Sequence, residues 1–209
     1  MKLIESDGRT TSALCLLTQS LGFVGHLDPR EMNVQLQIGW VKAKGGVFRA
    51  QLGGRFPTEE EMVLLRQLGA DAIPIDFSVE YAGTLLLGAT LKAVTRRFKF
   101  LRDADSVHRI PNPVYLLGGF RSANTTETVE CWLGYHPKPG RYLIVSSQPF
   151  CESQLMAVER AVGDAMRGTG GEGTFTFDVC GPAAPTLPLS RWLDNLAKQL
   201  WEEVQLLPK

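Results

Sequence analysis

Gly118 and Gly119 close a four-residue apolar run, Val114 to Leu117, and Arg121 follows them. Thr125, Thr126 and Glu127 come next, an order that suits an anion site. A glycine pair lets the backbone turn tightly, Thr125 or Thr126 can cap a helix, and the amides of that helix start attract a negative group. The planar fork of Arg121 can grip a phosphate or carboxylate, and the same residue reads equally as a solvated loop arginine. Glu127 suits a general base or a ribose-hydroxyl ligand, although a carboxylate in a first helical turn needs no function.

Two further stretches share this chemistry: Gly88-Ala89-Thr90 and Ser146-Ser147-Gln148, each small or polar and each placed after an apolar run. Arg96 and Arg97 are adjacent, so on a helix they point to different faces. One can face a cleft; a surface role for both is the plainer reading. The candidate ligand-binding residues are therefore Gly88, Arg97, Gly118, Gly119, Arg121, Thr126, Glu127, Ser146 and Gln148.

Other chemistries have less support. Neither flank of Ser146-Ser147 supplies the glycines of a nucleophile elbow. Cys151 lies near a predicted helix start, where a thiol pKa can fall, and a cysteine-dependent transferase or hydrolase follows if it does. A buried structural cysteine is the plainer reading. His26, His108 and His136 are too far apart to suggest a metal motif. Neither GxGxxG nor GxxxxGK[ST] occurs, which argues against a standard dinucleotide or P-loop site.

The elements that position these residues follow from hydrophobic periodicity. Residues 12–21 suit a short helix, and Asp28-Pro29 marks a break. Val34, Leu36, Ile38 and Trp40 alternate with polar residues, which predicts a half-buried strand, with 47–52 as its hairpin partner across Gly45-Gly46. Pro57-Thr58 and three glutamates start a helix carrying Met62, Leu65 and Leu68 on one face. The segment 52–69 matches 117–134 at five of eighteen positions, which reads either as an internal duplication or as two β-turn-α units with shared chemistry. Buried strands are predicted at 83–88, 114–117 and 142–145, and a one-sided edge strand at 174–179. Helices are predicted at 90–102, at 126–135, from the Ser146-Ser147-Gln148-Pro149 stretch to about Met166, and from 189 onward, the last with Leu189, Trp192, Leu193, Leu196 and Leu200 on one face.

Strands alternating with helices predict an α/β fold, a three-layer Rossmann-like, mostly parallel sheet with an N-terminal β-hairpin extension. The expected organisation is one domain, with the extension at 1–56 and the core at 57–209. Such sheets bind ligands beyond the carboxyl ends of their strands, where the candidate residues gather.

Composition narrows the partners. Lys+Arg and Asp+Glu balance at 22 each, so no nucleic-acid surface is indicated. No apolar run approaches the roughly 18 residues of a membrane span. The start of the chain makes a poor signal peptide, and the four cysteines form no CxxC pair. A cytoplasmic protein without a disulfide framework is expected.

Leu87-Gly88-Ala89, Arg96 or Arg97, Gly118-Gly119 with Thr126-Glu127, and Val145-Ser146-Ser147 together resemble the motifs of the SanA/ElyC/YdcF-type family. That group is Rossmann-like, and the resemblance covers roughly 83–180. Phe150-Cys151-Glu152 stands where the family carries a His and an Arg after its third strand. The family's separate Ser/Thr-x-Thr-x-Glu-Asn segment has no counterpart here. The resemblance implies a link to envelope biogenesis and, for the YdcF type, S-adenosylmethionine binding.

The expected function is thus a small-molecule-binding protein or enzyme whose ligand bears an anionic or nucleotide-like group. The alternatives are a non-catalytic interaction module on a Rossmann-like frame and the cysteine-dependent enzyme.

Overall fold

A computed structural model describes residues 2–69, 71–106, 110–117, 125–169, 173–183 and 186–208. In chain order its elements are α1 (Ser12–Ser20), α2 (Pro29–Gly39), a 3₁₀ turn (Lys42–Lys44), α3 (Arg49–Leu52), α4 (Glu59–Gln67), β1 (Gly83–Leu87) and α5 (Leu91–Asp105). These are followed by β2 (Val114–Leu117), α6 (Thr125–Leu133), β3 (Gly140–Val145), α7 (Cys151–Thr169), β4 (Phe175–Cys180) and α8 (Leu189–Gln205). The chain divides into two compact units, Met1–Asp71 with Ala184–Lys209, and Ala72–Ala183. In this division α8 belongs with the N-terminal segment. The apolar stripe of α8 explains this: Leu189, Trp192, Leu193, Leu196 and Leu200 share one core with Leu14, Met32, Leu36 and Leu65.

The first unit is helical, which corrects the expected β-hairpin. Asp28 caps α2 by accepting from the Arg30 amide at 2.7 Å, and Pro29 follows at a helix-compatible first position. The buried stripe is Met32, Leu36 and Trp40 at spacings of four, whereas Val34 and Ile38 face solvent. Two interleaved helical stripes had the appearance of strand alternation. Residues 47–52, expected as the second strand, contain α3 instead. Because segment 52–69 follows a helix, it is not a β-turn-α unit like the one predicted at 117–134.

Helix α4 starts as predicted. Thr58 Oγ1 accepts from the Glu61 amide, and Glu61 returns the bond to the Thr58 amide. Glu61 also pairs with both terminal nitrogens of Arg55, at 2.7 and 2.8 Å. Burial raises the Glu61 pKa; the Arg55 and Thr58 bonds outweigh it and hold the group below the usual carboxylate range.

The second unit is an α/β layer structure. Its four strands are all parallel, in the order β2-β1-β3-β4. Leu85, Leu87, Tyr142, Ile144, Phe177 and Val179 face α6 and α7, with Trp132 and Val158 packed against them. The opposite face, with Leu86, Leu143 and Val145, packs on Leu101 of α5 and on Tyr81. The sheet thus carries helices on both sides, in three layers. β4 is an edge strand, as predicted. β2 is also at an edge, and the burial expected for it is corrected: Val114 is 40% and Leu116 49% exposed. An uninterrupted apolar run does not by itself distinguish a central strand from an edge.

Replacing Glu61 with alanine removes the capping box and leaves Arg55 unpaired. A loss of about 1–2 kcal/mol in urea unfolding is expected. Because the folded-state pKa of Glu61 is depressed, its contribution is fully present above the ordinary carboxylate pKa and is lost as pH falls through the depressed value. The gap between wild type and variant should therefore close in acid.

Candidate functional site

β1 and β3 are neighbours, and the connections that leave them go to opposite faces. From β1 the chain passes through α5 on one face to reach β2; from β3 it passes through α7 on the other to reach β4. The chain reverses direction across the sheet as it changes face, so these crossovers share one hand. The point between the carboxyl ends of β1 and β3 is a topological switch point, where open parallel sheets hold ligands.

Arg97 enters this point from α5. It is 5% exposed. Its Nε donates to Ser147 Oγ at 3.0 Å, and its Nη1 donates to the Leu87 carbonyl and, at 3.4 Å, to the Gly88 carbonyl. Nη2 reaches Ser146 Oγ only at 3.5 Å. Among the described residues Arg97 has no carboxylate partner. Burial, with neighbouring Arg96 adding to it, pushes the guanidinium pKa down to about 10, so the group still carries its charge at neutral pH. A buried charge without a counter-charge costs several kcal/mol, and guanidinium tolerates this better than ammonium because it is less strongly hydrated.

Ser146, Ser147 and Gln148 continue from β3 and are all buried. The Ser146 amide donates to the Cys180 carbonyl and the Gln148 amide to the Pro182 carbonyl, which ties this strand end to the loop after β4. Arg96 clamps the same loop through the Ala183 carbonyl at 2.6 Å. Gly181 permits the close approach: a Cβ there would lie 2.6 Å from the Ser146 carbonyl oxygen.

The structure therefore brings together Gly88, Arg97 and Ser146 among the predicted residues, with Gln148 close by in the chain. Thr126 is half-buried and Glu127 exposed, both in the first turn of α6. Gly118, Gly119 and Arg121 lie outside the described residues. Ser147, named only as part of a strand end, proves to be the closer hydroxyl partner of Arg97. A pair of small polar residues directly after Val145 was the available signal.

Cys151 opens α7 and is completely buried, with Sγ 3.8 Å from the Cys180 carbonyl. Burial pushes its thiol up to about 12, and the charge of Arg97 only partly opposes this. Proximity to a helix start does not activate it. No His/Cys/Asp/Glu group able to hold a metal occurs among the described residues, and none of their helices is long and apolar enough to cross a membrane.

Comparison of the chain with protein-family models, with curated proteins and with solved structures gave no match.

Of the four cysteines, Cys131 is exposed while Cys15, Cys151 and Cys180 are buried. One thiol should therefore react quickly with a chromogenic disulfide reagent in the native protein, and four after unfolding. Rapid modification mapped to Cys151 by mass spectrometry would restore the cysteine-dependent reading.

Proposed function

We propose that this chain is a small-molecule-binding α/β protein whose ligand carries an anionic group, seated at the carboxyl ends of β1 and β3. The observation that carries this reading is Arg97, a buried cation without an acidic partner among the described residues, placed where parallel sheets bind ligands. A residue retained only for stability would serve better as an apolar side chain of similar size. An anionic ligand supplies the missing counter-charge. The balanced net charge favours a compact ligand over a nucleic acid.

The resemblance to the SanA/ElyC/YdcF-type family supports the same placement. It makes S-adenosylmethionine, with its carboxylate, one compound to try among nucleotides and simple phosphates. A cytoplasmic location is part of the same proposal.

One observation favours the interaction-module reading. Leu91 and Phe98 on α5 are 65% and 46% exposed, and Val114 and Leu116 are exposed on the β2 edge. Such residues suit a partner surface.

The test is a thermal-shift screen of wild type, Arg97→Gln and Arg121→Ala against those compounds. Ligand at 100 times its dissociation constant adds about 2.7 kcal/mol of stability. The expected result is a shift in wild type that is lost in Arg97→Gln. A shift that survives there and disappears in Arg121→Ala would move the site to the stretch of Gly118, Gly119 and Arg121. No shift from any compound would favour the interaction module.

A further inference from the structure

The second unit has another concave surface, at the end of the sheet opposite the carboxyl ends of β1 and β3. Two cavities, of about 520 and about 370 Å³, share Met166 of α7 and Phe175, the first residue of β4. Each falls within the size of pockets that enclose small molecules, roughly 300–1,000 Å³. Leu133 and Pro139 wall the first cavity, Val162 and Phe177 the second. Phe175 is a firm floor for both, because its ring packs edge-to-face on buried Trp132 with centroids 5.6 Å apart. His136 turns the chain after α6 with a φ of 50°, uncommon for a residue with a side chain, and it also lines the first cavity.

The charge along this apolar surface is negative. Glu130 lines the first cavity and Glu159 the second. Neither carboxylate has a hydrogen-bond or cation partner among the described residues. Nearby cations are engaged elsewhere: Arg160 and Arg167 both pair with Asp164. Lys138, exposed in the adjoining loop, lines neither cavity. Glu159 keeps contact with solvent, yet the protein packed around its carboxyl, with Glu152 adding to it, holds its pKa above the usual carboxylate range. A fully solvated glutamate needs no counter-charge. One that is partly desolvated beside an apolar cavity is short of one.

We propose that this groove binds a compact organic cation, an amine carried on an apolar body. The body lies on Phe175 and Met166, the ammonium meets Glu159, and Glu130 adds a second negative charge along the groove. Phe175 contributes in two ways, since an aromatic ring buries apolar surface and its face attracts a cation. A small molecule fits better than a folded partner because the surface is concave and of ligand size. An anion of the kind proposed for Arg97 is repelled here, so the two ends of the sheet take ligands of opposite charge.

A nuclear magnetic resonance titration of the full chain, observed at its methionine methyls, checks this with phenethylamine and with phenethyl alcohol as the uncharged counterpart, at matched ionic strength. Millimolar amine should shift the Met166 methyl saturably, while Met32, buried in the other unit, stays unmoved. Glu159→Gln, a change at an exposed residue, should weaken the amine roughly tenfold and leave the alcohol as in wild type. The unmoved Met32 signal verifies that the variant is folded. No saturable shift from the amine, equal affinity for amine and alcohol, or equal affinity in Glu159→Gln would overturn the proposal. Tighter binding by a short peptide of phenylalanine and lysine than by the amine would overturn the small-molecule assignment in favour of a protein segment. Arg97 takes no part in this groove, so failure here would leave the anion reading standing, and failure of that reading would leave this one.

Discussion

The second unit depends on burying both faces of β1 and β3 at once. Leu85, Leu87 and Ile144 need cover on one side, and Leu86, Leu143 and Val145 on the other. A helix covers one face only, so the connections from these strands must diverge, α5 to one side and α7 to the other. That divergence makes the carboxyl ends of β1 and β3 a topological switch point. The switch point is thus a by-product of hydrophobic cover.

The side chains at this point are costly to bury. A guanidinium with no carboxylate partner among the described residues, two serine hydroxyls and a glutamine lie where packing would favour aliphatic side chains. The surroundings hold them firmly: Ser147 and the Leu87 and Gly88 carbonyls fix the Arg97 fork, while Gly181 lets the next loop lie against Ser146. Cys151, in contrast, is held as a neutral thiol by its burial.

The first unit is governed by the return of the chain. The Glu203 carboxylate on α8 accepts from the Leu3 amide at 2.8 Å and the Ile4 amide at 2.9 Å, and the Leu189 amide donates to the Arg55 carbonyl. Gln37 reaches the Ala197 carbonyl at 2.7 Å. These bonds join residues more than a hundred positions apart in sequence. They explain why the unit is discontinuous in the chain yet has one core.

Much of the architecture was legible beforehand. Residue order and period placed β1, β3 and β4, the crossover helices, the helix start at Thr58 and the buried face of α8, because these depend on local geometry and on which residues avoid water. The hairpin reading of 34–52 failed because Val34, Leu36, Ile38 and Trp40 satisfy two periods, and a helix cap at Asp28 outweighed the alternation. β2 was misjudged because burial of a strand depends on its neighbours, which a single stretch does not specify. At the strand ends, the sequence by itself determined that small and polar residues follow the apolar strands, since that order is read directly along the chain. Only the tertiary structure decided which of Arg96 and Arg97 turns inward, that it meets Ser147, and that Cys151 is sealed. Those outcomes depend on how α5 and α7 lie across the sheet, and helical spacing carries no record of a distance between separate elements.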